Sequence, residues 1–242
     1  MITQELRDKF DIPQHADMFA LIYRRACELY GDEGRKAADE GTKRYGNQRG
    51  ARMAKRAAKD GAPLDMRSYR LYGEWTDKNH RSQSVTRQTT PVMLPDSTVC
   101  GWCEAWKEAG LLEYGCNYCT YVDKNLVKGF NPELQLEIHS VLSQGGDVCA
   151  FEWRGFSIEN EEEAKRFAED KKALGGREIK DFLYHTGHLL SAMTEAIKEN
   201  LGAEKRETVR RKALDDFEKM FGAEMTMAVI EESRQDFTEV DY

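Results

Sequence analysis

Two Cys-x-x-Cys pairs, Cys100 with Cys103 and Cys116 with Cys119, stand twelve residues apart in this chain of 242 residues. Paired cysteines at this spacing are typical ligands of zinc or of an iron–sulfur cluster, and zinc is favoured here. If the four thiols bind one metal ion, the fold must bring all of them together. Reduced thiols that pack separately are the alternative, because a free cysteine behaves as a small apolar side chain.

Cys119 also has the features of a nucleophile. The sequence predicts helices over 103–112 and 116–128, so Cys119 is expected near a helix N-terminus, where exposed N–H groups favour the reactive thiolate. Asp123 follows one helical turn later on the same face and is suited to orient a substrate or to move protons. With Cys149 on a predicted strand, these residues form the expected reacting centre.

The spacing of apolar residues predicts further helices on both sides of this segment. The clearest stripe is Ile179, Phe182, Leu183, Leu189, Leu190, Met193 and Ile197, which recurs every three or four positions. We expect a break near Gly31 and the end of a long helix before Gly202. The predicted helices cover 16–30, 33–60, 176–201 and 204–221.

Alternation of apolar and polar residues predicts a β-hairpin in the middle of the chain. Residues 134–138 alternate, Gly145 and Gly146 provide the turn, and 148–153 return, with another strand expected over 82–93. The expected fold is therefore α+β, with N-terminal helices, a small antiparallel sheet that holds the cysteine cluster, and a C-terminal helical extension. The predicted division is an α+β domain over 1–155 and a helical extension over 156–242 that packs on it.

Composition indicates a globular protein of the cell interior. Thirty-six basic residues against 43 acidic ones give a net charge of −7, which argues against a nucleic-acid partner. No apolar run reaches the roughly 18 residues that span a bilayer, and the N-terminus lacks a secretory signal. We expect a cytoplasmic protein with reduced thiols and no membrane partner.

The basic residues and the histidines offer weaker signals. Nine basic residues against four acidic ones lie between Glu33 and Asp60, either as solvated helix surface or with one or two arginines, such as Arg49, turned inward to hold a substrate carboxylate. His185 and His188 share a helix face. At roughly 100° per residue, His188 lies almost opposite the apolar stripe and His185 at its border, so we expect both at the surface. His15 lies in a polar stretch without a pattern.

Several short motifs, in order, resemble the L-2-amino-thiazoline-4-carboxylate hydrolase family over about 16–154. Cys103 and Cys116 are additions to its pattern. The cysteine and hairpin layout is also distantly similar to ligand-binding domains of the vinyl-reductase type, which are not all enzymes. The motifs are Lys107-Glu108-Ala109-Gly110-Leu111, Cys100-Gly101-Trp102, Tyr118-Cys119-x-x-x-Asp123, Gly129-Phe130-Asn131-Pro132 and Gly146-Asp147-x-Cys149-x-Phe151.

The resemblance implies a hydrolase-like domain that opens a small cyclic amidine, 2-amino-thiazoline-4-carboxylate or a similar compound, at a C–N or C–S bond. Water or Cys119 would add to the ring carbon, and Asp123 would pair with the amidinium. A non-catalytic sensor module that binds a metal or a small ligand is the alternative. Zinc is the one cofactor expected, and the apolar stripe of the C-terminal helix leaves room for a homo-oligomer. The implied substrate contacts are Cys100, Phe130, Asn131 and Arg49.

Overall fold

The chain forms an α+β fold with nine α-helices and a four-stranded antiparallel sheet within residues 2–239, the part that this computed structural model describes. The predicted fold class is confirmed. A short 3₁₀ helix, Leu142–Gln144, lies between the last two strands. The helices are α1 (Gln4–Asp8), α2 (Ile12–Lys59), α3 (Met66–Leu71), α4 (Gly101–Glu108), α5 (Leu112–Phe130), α6 (Glu161–Ala173), α7 (Phe182–Leu201), α8 (Ala203–Phe221) and α9 (Ala223–Glu232). The strands are β1 (Gln83–Gln88), β2 (Leu94–Val99), β3 (Leu136–Ser140) and β4 (Cys149–Trp153).

The sheet has the order β1-β2-β4-β3, so β2 and β4 are its inner strands. The predicted hairpin is present as β3 and β4, and β1 lies inside the predicted 82–93 strand. β2 was not predicted, because Pro95 and Asp96 have low strand propensity. Its pairing with both neighbours, including Ser97 opposite Cys149, overrides that local preference.

Local sequence signals set several helix ends. The backbone of α2 leaves the helical conformation at Gly31, with φ 54° and ψ −132°, where the sequence predicts a break. Glycine adopts such a positive φ without a steric penalty from Cβ. The α7 N-terminus is capped by Asp181, whose carboxylate accepts a 2.8 Å hydrogen bond from the Tyr184 N–H.

The chain divides into two compact units, each made of separate segments. Unit 1 consists of residues 2–45, Gly101–Val122 and Asp181–Asp236 and is helical. Its core includes Trp106, which is fully buried and donates a 2.8 Å hydrogen bond from Nε1 to the Ala16 carbonyl. Gly115 packs flat on that indole, because a Cβ there would lie 2.2 Å from a ring carbon.

Unit 2 consists of Gly46–Cys100, Asp123–Lys180 and the residues from Phe237 onward, and it contains the sheet. Its separate core packs Tyr69 against Phe130 and Trp153, with ring centroids 5.6 Å apart in both pairs. Both units take segments from either side of residue 155, and a domain boundary there stays a prediction. Residues 240–242 of the predicted extension lie outside the described residues. Across the described helices, none combines the length and apolar character that crossing a membrane requires.

Candidate active site

A close helix crossing in unit 2 places α2 beside α5. A Cβ on Gly50 of α2 would lie 2.0 Å from the Leu126 carbonyl oxygen, and one on Gly129 of α5 would lie 2.2 Å from the Asn47 carbonyl oxygen. Two glycines facing the partner backbone let the helix axes approach more closely than side chains allow. This crossing brings the charged residues of α2 near the C-terminal half of α5.

Asp123 of α5 has the properties of an acid–base group. It is partly buried, and this desolvation raises the pKa of its carboxyl group to about 6, although the nearby Arg49 guanidinium opposes the shift. Burial, with a smaller effect from Asp123, also raises the pKa of the Tyr69 phenol above its usual range. A carboxyl group that titrates near neutral pH can both accept and donate a proton during a reaction.

Three arginines on one face of α2 meet the buried carboxylate of Glu74. Arg49, Arg52 and Arg56 are spaced by three and four residues, and each is no more than 5% exposed. All three donate to Glu74, which is fully buried: Arg52 through Nε and Nη2 at 2.7 and 2.8 Å, Arg49 through Nε at 3.4 Å, and Arg56 through Nη1. The sequence predicted one or two inward arginines, such as Arg49, and the structure has three. Of these, Arg49 is the one whose charge acts on the Asp123 carboxyl group.

Cys149 is buried on β4, as its position on the return strand predicts. The Leu142 N–H donates a 3.4 Å hydrogen bond to its sulfur, so the 3₁₀ helix between β3 and β4 fixes the thiol. Phe151, two residues later, stacks on Trp153 with centroids 5.9 Å apart. Cys100 is partly buried at the residue before α4.

The helix that carries Cys119 and Asp123 begins earlier than predicted. α5 starts at Leu112, so Cys119 lies roughly two turns inside the helix at 3.6 residues per turn. The expected N-terminal activation of its thiol is therefore wrong, since the helix dipole acts mainly within the first turn. The four-residue spacing from Cys119 to Asp123 within one helix is confirmed.

The four cysteines proposed as metal ligands are not gathered into a site. Within residues 2–239, no group of three or more His, Cys, Asp or Glu side chains is placed to hold a metal ion. Cys103 is buried in α4, and the Cys116 thiol donates to the Glu113 carbonyl at 3.3 Å on its own helix. Zinc knuckles position their paired thiols on turns, whereas Cys103, Cys116 and Cys119 lie inside helices.

Phe130 and Asn131 close the C-terminal end of α5. Phe130 is a core residue, 3% exposed, packed edge-on against Tyr69. The Asn131 side chain donates to the Leu64 carbonyl at 2.7 Å and accepts from the Glu133 N–H at 3.0 Å. These contacts fix the turn after the helix; a contact with substrate at either residue stays a prediction.

Unit 1 contains a buried histidine cluster that the sequence did not reveal. His15 is 1% exposed and lies between Trp102, which donates from Nε1 to His15 Nδ1 at 3.0 Å, and Tyr45, whose hydroxyl lies 2.9 Å from His15 Nε2. The His185 ring centroid is 6.5 Å from that of His15, and the His188 centroid is 4.7 Å from that of Tyr45.

The expected surface positions of His185 and His188 are wrong, since these residues are 2% and 0% exposed. α7 is covered on every side over most of its length, so a histidine opposite the apolar stripe is still buried. A signal was available: no charged residue occurs between Asp181 and Glu195. A helix with no charged face is buried all round, and its polar residues lie in the core.

The model of one protein family, described as L-2-amino-thiazoline-4-carboxylic acid hydrolase, matches residues 13–153. The match covers more than half of the chain and contains the α2–α5 crossing, the arginine cluster and the sheet. It confirms the resemblance drawn from the short motifs. Searches of curated proteins and of solved structures found no match.

Proposed function

Since the chain belongs to the L-2-amino-thiazoline-4-carboxylic acid hydrolase family, we propose that it opens a small cyclic amidine of the 2-amino-thiazoline-4-carboxylate type by hydrolysis. The observation that carries this proposal is Asp123, a carboxyl group whose pKa is raised to about 6 beside Arg49. A carboxylate at this position complements an amidinium, and its pKa suits proton transfer near neutral pH.

In the proposed reaction a nucleophile adds to the ring carbon that lies between nitrogen and sulfur. Ionised Asp123 pairs with the amidinium N–H groups, which keeps that carbon electrophilic. The tetrahedral adduct then collapses with cleavage of the ring C–N or C–S bond, and the departing atom takes up a proton. When the nucleophile is a thiolate, water then adds to the same carbon and displaces the thiolate, which breaks the bond to the enzyme. The product is a carbamoyl cysteine that contains all the atoms of the substrate and of one water molecule.

Cys119 is the proposed nucleophile, because residues four apart in an α-helix share a face and α5 carries Asp123 four residues later. We also propose Cys149 as a catalytic residue and Cys100 and Arg49 as substrate contacts, with Arg49 lowering the pKa of Asp123. All six cysteines are unbridged. Cysteines without disulfides suit this chemistry, and we propose the cytoplasm as the compartment that keeps them reduced.

Turnover of 2-amino-thiazoline-4-carboxylate, followed by mass spectrometry of the ring-opened product, tests the proposal directly. We expect Asp123→Asn to reduce kcat by about 10²-fold or more, the usual cost of losing an acid–base group. Glu113→Gln is a matched control, because Glu113 is an exposed carboxylate on the same helix. Absence of ring opening by the wild-type protein between pH 5 and 9 would overturn the proposal.

Bound zinc stays a prediction. Metal analysis of untagged protein, purified without oxygen, measures it.

A further inference from the structure

Arg56 has a buried pair of hydrogen-bond donors with no acceptor among residues 2–239. Its side chain is fully buried, and Nη1 donates to Glu74 Oε1. Within the described part of the chain, Nε and Nη2 of Arg56 have no hydrogen-bond partner. Leaving charged donors buried and unsatisfied is costly, so such a group calls for a partner beyond the described residues.

The two open donors lie on the same edge of the guanidinium group. Nε–H and Nη2–H point in parallel from that edge and form the fork that binds both oxygens of a carboxylate. Arg52, one turn earlier on α2, shows this use of the fork: its Nε and Nη2 donate to Oε1 and Oε2 of Glu74 at 2.7 and 2.8 Å. The corresponding edge of Arg56 presents the same two donors, Nε and Nη2, without a partner among the described residues.

Glu74 cannot fill this second fork. Both of its oxygens already accept from Arg52, and they also accept from Arg49 and Arg56. Arg56 therefore shares its carboxylate partner with two other guanidinium groups, and its own side chain is fully buried. Buried charges are stable when paired, so the open edge of Arg56 favours a further anion.

We propose that the Nε/Nη2 edge of Arg56 binds the carboxylate of a small-molecule ligand. This proposal deepens the proposed function and rests on it in one respect: the ligand carboxylate is assigned to the 4-carboxylate of the thiazoline substrate. Arg49, which lowers the pKa of Asp123, then serves the reacting centre, and Arg56 anchors the far end of the substrate. The fork selects planar two-oxygen anions, so the substrate class is that of amino-acid-derived cyclic amidines with a free carboxylate.

Binding measured apart from turnover tests this assignment. In the Asp123→Asn background, calorimetry compares 2-amino-thiazoline-4-carboxylate with 2-amino-thiazoline, which lacks the carboxylate. We expect the carboxylate to strengthen binding by about 10- to 100-fold, the range of a charge-assisted bidentate pair. Arg56→Lys keeps the charge but removes the fork, and it should abolish this advantage without weakening the binding of 2-amino-thiazoline. Arg67→Lys is the control, since Arg67 pairs with Asp170 at 2.6 Å on the exposed side of α3.

Equal binding of the two compounds to the Asp123→Asn protein, or an undiminished advantage in Arg56→Lys, would overturn the proposal. If Arg56→Lys does not fold, Arg56→Gln replaces it in the binding comparison. A second measurement then uses the wild type alone, whose Tm should rise with acetate. An unchanged Tm in acetate would also overturn the proposal. The two proposals can also be told apart. If acetate stabilises the protein through Arg56 but the protein opens no thiazoline, the anion site is supported and the hydrolase proposal fails.

Discussion

The indole Nε1 of Trp102 donates a 3.0 Å hydrogen bond to Nδ1 of His15. An indole N–H can only donate, so Nδ1 must accept, and the neutral imidazole then carries its proton on Nε2. That proton points to the Tyr45 hydroxyl 2.9 Å away. The contact with Trp102 therefore selects one tautomer of a histidine at the centre of unit 1.

We expect His15 to be the Nε2-protonated tautomer in solution, as measured by the ¹⁵N chemical shifts of its ring. Trp102→Phe should remove the fixed tautomer and lower the free energy of unfolding by about 1–3 kcal/mol, because a buried acceptor loses its donor. Trp75→Phe is the matched control, since Trp75 is 38% exposed. A Nδ1-protonated ring in the wild type would contradict the expected geometry.

A second buried group gives unit 1 a pH-dependent stability. Asp17 is 3% exposed, its Oδ1 has no hydrogen-bond partner among residues 2–239, and burial, with a contribution from Glu108, raises its pKa to about 7. A raised pKa in the folded state means that the unfolded chain ionises first as the pH rises. The protein therefore loses stability between about pH 4 and 7.

Asp17→Asn should remove this loss. We expect equal unfolding free energies for the variant and the wild type near pH 3.5, and an advantage for the variant on the order of 4 kcal/mol at pH 8. Urea denaturation across this range measures it, with the exposed Asp215→Asn as the control. An advantage that does not grow with pH would show that Asp17 is ionised in the folded protein below neutral pH.

The sequence predicted the elements of this fold better than their environments. The break at Gly31 and the hairpin of β3 and β4 follow from local chemistry, which a periodic pattern records. β2 was missed because its stability comes from pairing with a strand on each side, whereas Pro95 gives its own sequence a low strand propensity. Partners far apart in the chain leave no mark on a strand's own composition.

The candidate site divides in the same way. The spacing of Cys119 and Asp123 within one helix is readable from sequence, and so is the common face of Arg49, Arg52 and Arg56. Which face of α2 turns inward was not readable, because the decision rests on Glu74, which follows α3. From sequence alone, a long polar helix such as α2 is expected to face solvent, because the buried carboxylate that its arginines bind lies elsewhere in the chain.

The α2–α5 crossing leads to a test of how the site is held. Gly50→Ala should lower the free energy of unfolding by about 1–3 kcal/mol, because the new methyl group would overlap the Leu126 carbonyl. In an unobstructed helix the same change would stabilise by about 0.5–1 kcal/mol. Gly73→Ala is the control, since its Cβ would meet nothing closer than 3.8 Å. A stabilised Gly50→Ala protein would contradict the close approach of the two helices.

The charge of Arg49 should be visible in the pH dependence of ring opening. The ionised form of Asp123 is the proposed active form, so kcat/KM should fall below about pH 6 as its carboxylate takes up a proton. Arg49 lowers the pKa of Asp123, and Arg49→Gln should therefore move this acid limb to higher pH. If the acid limb of the kcat/KM profile lies at the same pH in Arg49→Gln, and circular dichroism shows an intact fold, then Arg49 does not act on the ionisation of Asp123.

Cys119 can be distinguished from water as the nucleophile by the mass of the protein during turnover. Attack of its thiolate on the ring carbon with ring opening loses no atoms, so the covalent adduct should weigh the protein plus one whole substrate. We expect rapid acid quench and mass spectrometry to place this adduct on Cys119, and Cys119→Ala to abolish both the adduct and turnover. Cys116→Ala, one turn earlier on α5, should retain both. Full turnover by Cys119→Ala would assign the attack to water and leave Asp123 as the group that activates it.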